Sequence, residues 1–343
     1  MLEWPLPTAL VCWITLLSEP LHQRLAWRLL PLLRGVLFAH GRRTVAPWLR
    51  AAGLGDDFRH YYYFRGSRGR KTEYLASRWL RLAVTVIVPG ERLLFGLDDT
   101  PTQRAGPKIE GAGIPHHPRP GPAGAKFLSG HFGVTLAGIV RHPRWGAIGL
   151  PLRAGLYVRQ KQSALLQRCY GLTFQTKLEL AARLVAWVAD WLRYLGQTLW
   201  VVADGAYAQR PFRKAARQAQ VVVVSRLRKD AKLWSVPRPP RSGQPKKRGP
   251  KPTYGQERII LAKRAGHRRG GQTEELLLYR ERVTKTFQTF LATYRPAGGL
   301  IRWCWCARTT AGWRSSAPTR KRRWRRSWKQ SRTGQRWSRT STM

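Results

Sequence analysis

Acidic side chains are scarce in this sequence: 17 Asp and Glu stand against 63 Lys and Arg in 343 residues, a formal net charge of +46. Such an excess repels itself unless it meets a polyanion, so it points to a nucleic-acid partner. Cysteine is scarce as well. Four residues exclude a disulfide scaffold and suit a reducing cytoplasm. The charge-free run Trp4 to Ser18 has fifteen residues, fewer than the roughly 20 of a membrane-spanning helix, and Pro5 and Pro7 interrupt it. No basic segment precedes it, which argues against a secretory signal, and it reads as a core helix. No collagen-like or coiled-coil pattern is present. Hydrophobic residues make up 43%, enough for a buried core.

Residues 1–86 read as helical. Leu21, Leu25, Leu29, Leu30 and Leu33 recur at helical spacing. The segment RRTVAPWLRAAGLGDDFRHYYYF then predicts a short helix N-capped by Thr44, a glycine turn and a second aromatic-rich helix, a pattern like a helix-turn-helix. Two readings stand for its cations, among them Arg42, Arg43 and Arg50: contacts to DNA phosphates, or a solvated basic surface.

From residue 87 the period changes. RLLFGLDD and TLWVVAD are continuous apolar runs that end in carboxylates, as buried strands do where they open onto a site. Strands alternate with helices up to Ser225, which makes residues 87–225 an α/β domain. Residues 226–301 begin with a Pro- and Lys/Arg-rich linker and continue as strand-like runs: ERIILAKR, ELLLYRERV and KTFQTFLATY. Arg226, Arg228 and Lys229, and Lys246, Lys247 and Arg248 in the linker, are candidate phosphate contacts. Cys304 and Cys306 lack a His pair for zinc, and Cys12 and Cys169 read as core residues.

Asp98, Asp99 and Asp204 carry the chemistry. If both strands share a sheet, their carboxyl ends converge, and clustered carboxylates need cations to stay ionised. They are hard oxygen ligands suited to Mg²⁺ or Mn²⁺, and two such ions can cleave a phosphodiester. The structural alternative is a pair of ordinary strand-end caps.

The segments LDDTPTQRAGPKIEGAGIPHHPRPGPAGAKFLSGHFGVTLAGIV, GLPLRAGLYVRQK and LWVVADGAYAQRPF resemble the catalytic half of bacterial insertion-sequence transposases of the DDE type. The resemblance implies an RNase H-like core with a β-rich insertion and two Mg²⁺ or Mn²⁺ ions held by three acids. It implies cutting of transposon ends and their joining to target double-stranded DNA, by a cytoplasmic, nucleoid-associated protein, with a homodimer on DNA as one arrangement. Asp98 or Asp99 matches the first acid, with Asp98 favoured by its Asp-x-Thr pattern, and Asp204 matches the second. The alternative is a catalytically inactive DNA-binding fragment of the same fold that acts as an inhibitor.

The third acid should be a late Glu, and the chain departs from the pattern there, since nothing after Glu281 is acidic. Residues 302–343 hold 11 Arg, 2 Lys and six Trp. That composition suits a GC-rich gene read out of frame. Shifted by one base, RWCWCARTTAGW admits VVLVREDDGW and QRWSRTSTM admits AMEQDFHD, with a Glu codon straddling Trp337 and Ser338. The expectation is a frame change near Arg302 and an unpacked tail beyond it. A true Arg/Trp tail that binds nucleic acid by charge and stacking is the other reading.

Overall fold

The computed structural model describes residues 7–41, 44–55, 58–68, 72–87, 92–104, 109–114, 129–142, 144–227, 230–238, 249–266, 271–278 and 281–306. Described residues up to Thr85 form one compact unit and those from Val86 onward a second.

The first unit is helical: α1 (Thr8–Ser18), α2 (Gln23–Ala26), α3 (Leu29–Phe38), α4 (Val45–Ala51), α5 (Arg59–Arg68) and α6 (Thr72–Ile87), the last running to the unit's boundary. Leu21, Leu32, Val45, Leu49, Tyr61 and Phe64 make its core. Helices α3 and α4 cross closely. A Cβ on Gly35 would lie 2.0 Å from the Trp48 carbonyl oxygen, so only glycine fits there. Thr44 takes the N-cap position of α4, as its sequence predicts, although its side chain makes no capping hydrogen bond. The expected core helix at the N-terminus differs from its forecast: α1 buries only Ile14 and leaves Val11 and Leu16 exposed, because α3 covers a single stripe of it.

The second unit holds two sheets. The first contains β1 (Arg92–Gln103), β2 (Gly130–His142), β3 (Gly146–Tyr157), β4 (Thr198–Ala203) and β5 (Val222–Ser225), in the order β3-β2-β1-β4-β5. The first three pair antiparallel, and β1, β4 and β5 pair parallel. Connecting helices are α7 (Gln160–Tyr170), α8 (Lys177–Leu192) and α9 (Arg210–Gln218). Helix α8 repeats apolar residues at three and four positions, and Leu180, Leu184, Val185, Val188 and Leu192 are all buried. That stripe lies on the sheet face of Leu97, Val134 and Gly155, where Leu180 comes within 3.1 Å of a Cβ built on Gly155. On the opposite face Val202, Val222 and Val224 remain 39–41% exposed.

The second sheet contains β6 (Leu233–Trp234), β7 (Arg258–Ile259), β8 (Gln272–Leu278), β9 (Glu281–Tyr294) and β10 (Gly299–Cys306), with α10 (Leu261–Gly266) beside it. Its core is Leu233, Leu261, Ala292, Ala297 and Ile301. Two expectations change here. ERIILAKR gives only a two-residue strand and then α10, because Leu, Ala, Lys and Arg in succession favour helix. KTFQTFLATY and the end of ELLLYRERV merge into the single 14-residue strand β9. The packed chain also continues past residue 302. Residues 302–306 pair with β9, and the Trp303 ring lies 4.9 Å from that of Phe290. Cys12 and Cys169 are exposed rather than buried. Each lies on the outward side of a helix with one buried residue. No described helix is long and apolar enough to cross a membrane.

Candidate active site

Strands β1 and β4 run parallel in direct register, ending at the pair Leu97 and Ala203. Asp98 and Asp204 follow that pair on adjacent strands, whose backbones lie about 4.8 Å apart in any sheet. Only β4 ends at its acid as its sequence predicts; β1 runs on past Asp98 and Asp99 to Gln103, because β2 continues to pair with it there. Side chains alternate along a strand. Leu93, Phe95 and Leu97 point to the α8 side and are buried, which sends Asp98 to the open side and Asp99 back towards α8. Asp204 shares the open side, two residues after Val202. Across β2, Thr135 sits opposite Asp98, and its hydroxyl is 2.7 Å from that of Thr100.

Local chemistry fixes each acid. An oxygen of Asp98 accepts the backbone N–H of Asp99 at 2.8 Å. Asp204 caps a 3-10 turn over Gly205–Tyr207, where its Oδ1 accepts the N–H of Gly205 at 2.5 Å. The hydroxyl of Ser225, on β5, donates to the Asp204 carbonyl at 2.9 Å. Each of these two carboxylates keeps an oxygen that receives no hydrogen bond among the described residues.

Asp99 is held differently. Tyr207 Oη donates to its Oδ1, and Lys177 Nζ to its Oδ2. Tyr207 is 2% exposed and meets Phe212 edge-on, with ring centroids 6.0 Å apart. Burial pushes the Tyr207 phenol far above the usual tyrosine range, and Asp99, Asp98 and Asp204 add their negative charge to the shift. The phenol therefore stays protonated through the neutral range and serves as a donor. Lys177 begins α8 directly after its N-cap, Thr176, within a capping box. Thr176 Oγ1 accepts the Glu179 N–H at 3.3 Å, and Glu179 Oε2 accepts the Thr176 N–H at 2.8 Å. The Thr176 N–H and, at 2.9 Å, the Thr176 hydroxyl both donate to Glu179 Oε2 and hold that carboxyl below the usual carboxylate range. The Lys177 ammonium also lies 5.9 Å from the centroid of the Tyr157 ring.

Gly205 is required by close approach. A Cβ there would sit 2.6 Å from the backbone oxygen of Arg226. Gly205→Ala is expected to displace the turn and lower stability by about 1–3 kcal/mol, the usual cost of overpacking, read as a lower urea midpoint at unchanged slope.

The carboxylates fit a hard divalent cation by donor type, but their number is short. Among the described residues no group of three or more His, Cys, Asp or Glu is placed to hold a metal ion. Of the expected phosphate contacts, Arg50 is exposed on α4 with its guanidinium 5.5 Å from the Phe58 ring, and Arg226 is exposed after β5. Arg42, Arg43, Arg228, Lys229, Lys246, Lys247 and Arg248 lie outside the described residues. Sequence reasoning missed Lys177, 78 residues from its partner, and for Tyr207 favoured packing over a substrate contact. The capping-box pattern Thr-Lys-Leu-Glu at 176–179 was the available signal for the start of α8.

A search of curated proteins returns no match to the chain. The family described as DDE superfamily endonuclease matches residues 17–131 and 156–276. The two segments include Asp98, Asp99 and Asp204 and span more than half of the sequence. With all three acids inside the matched segments, this chain belongs to the DDE superfamily of endonucleases.

Proposed function

We propose that this chain is a DNA transposase of the insertion-sequence type, which cuts the ends of a mobile DNA segment and joins them to target DNA. The observation that carries this reading is the placement of Asp98 within β1 and Asp204 just after β4, side by side where the parallel pairing of the two strands ends and on one open face, in a DDE-family chain with a large cationic excess. Asp98 and Asp204 would hold the metal. Divalent ions such as Mg²⁺ or Mn²⁺ supply polarisation of the phosphodiester and an activated water or 3′-hydroxyl. The chain's own part is to hold the two carboxylates at fixed separation, to keep the Tyr207 proton away from the reacting oxygens, and to draw in the polyanion with Arg50, Arg226 and their basic neighbours. An RNase H-like core, a helix-turn-helix over α4 and α5, and action on DNA as a homodimer belong to the same reading.

A second reading has a specific observation in its favour. Two carboxylates are one acid short of the family set, and nothing after Glu281 is acidic. In the printed frame the chain would bind DNA ends without cutting them and act as an inhibitor. A strand-transfer assay with labelled DNA ends and Mg²⁺ separates the two. If the transposase reading holds, Asp98→Asn and Asp204→Asn in the frame-restored chain each lower strand transfer on the order of 10²-fold or more, with DNA binding retained. Undiminished transfer in either variant rejects the assignment.

A further inference from the structure

Resting on that reading, we propose that Asp99, Tyr207 and Lys177 form a clamp that sets the spacing of Asp98 and Asp204, and that Asp99 itself binds no metal. Asp99 follows Asp98 directly on β1, and Tyr207 closes the turn that Asp204 caps after β4. The Tyr207–Asp99 hydrogen bond therefore ties together the two segments that carry the open-face carboxylates. It does so just beyond Leu97 and Ala203, the last pair of the β1–β4 register. Lys177 fixes the other Asp99 oxygen from the capped start of α8.

Three features separate this role from that of a ligand. Both Asp99 oxygens already accept hydrogen bonds from protein groups, whereas Asp98 and Asp204 each keep one that does not among the described residues. The Lys177 ammonium neutralises Asp99 and would oppose a cation placed against it. Strand alternation turns Asp99 to the α8 side, away from the face that Asp98 and Asp204 share. Asp99 and Tyr207 are thus positioning residues, and they act through their neighbours as outer-shell partners of metal ligands do.

The test is Mn²⁺ binding to the full chain, followed by electron paramagnetic resonance, with folding of each variant checked by circular dichroism. Asp98→Asn and Asp204→Asn are expected to abolish the site. Tyr207→Phe changes no charge and keeps the buried ring, so the clamp predicts retained stoichiometry with affinity weakened about 10–100-fold. Lys177→Met frees Asp99, and a second Mn²⁺ contact at that carboxylate is expected, removed again in the Lys177→Met/Asp99→Asn double variant. An unchanged affinity in Tyr207→Phe, or a site abolished by Asp99→Asn and spared by Asp98→Asn, overturns the clamp and leaves the metal reading standing. Absence of Mn²⁺ uptake by the unaltered chain overturns both.

Discussion

On the proposal that the chain changes frame near Arg302, restoring the other frame over the last 42 codons is expected to raise Mg²⁺-dependent strand transfer on the order of 10³-fold over the chain as it stands. The reasoning is electrostatic. A catalytic ion held by two carboxylates keeps fewer ligands and a looser position than one held by three, and several kcal/mol of transition-state stabilisation depend on that position. On that proposal the shifted frame admits a Glu codon across Trp337 and Ser338. It need not disturb β10, because sheet pairing runs through backbone groups and the shifted VVLV is as apolar as the RWCWC run it replaces. A nucleotide sequence without an open frame there, or a restored chain no more active than the printed one, removes the proposal.

The largest stability effect is expected at Phe212. Its side chain is fully buried in α9 and supports Tyr207 edge-on. Phe212→Ala should cost about 3–5 kcal/mol through lost transfer energy and the cavity left behind. It should also release Tyr207 from its place beside Asp99, so Mn²⁺ affinity should weaken while the remaining folded protein keeps both ligands. Urea unfolding followed by tryptophan fluorescence measures the first effect. A loss below about 1 kcal/mol would mean that the site collapses around the void.

Strands β1 and β4 were legible in the sequence because each contains a continuous apolar run followed by a carboxylate, although β1 runs on past its acids to Gln103. TLWVVAD announces β4 and Asp204 by composition alone. The sequence reading left Asp98 and Asp99 both open, with Asp98 favoured by its Asp-x-Thr pattern alone. Adjacent strand residues point to opposite faces, and which face is open depends on where α8 packs, a tertiary fact. Lys177 was hidden for the same reason: no local pattern links it to a carboxylate four elements earlier. In the second sheet β9 and α10 were blurred by runs too short for periodicity to separate strand from helix.

The valine-lined side of the first sheet, where the two acids stand, has a consequence for catalysis on the proposed reading. Water reaches these carboxylates freely, so they grip an ion only modestly while the protein is alone. A duplex laid across that side would expel the solvent and bring its own phosphate oxygens as ligands. The substrate then finishes the chamber in which it is cut, and hydrolytic chemistry stays idle until DNA arrives.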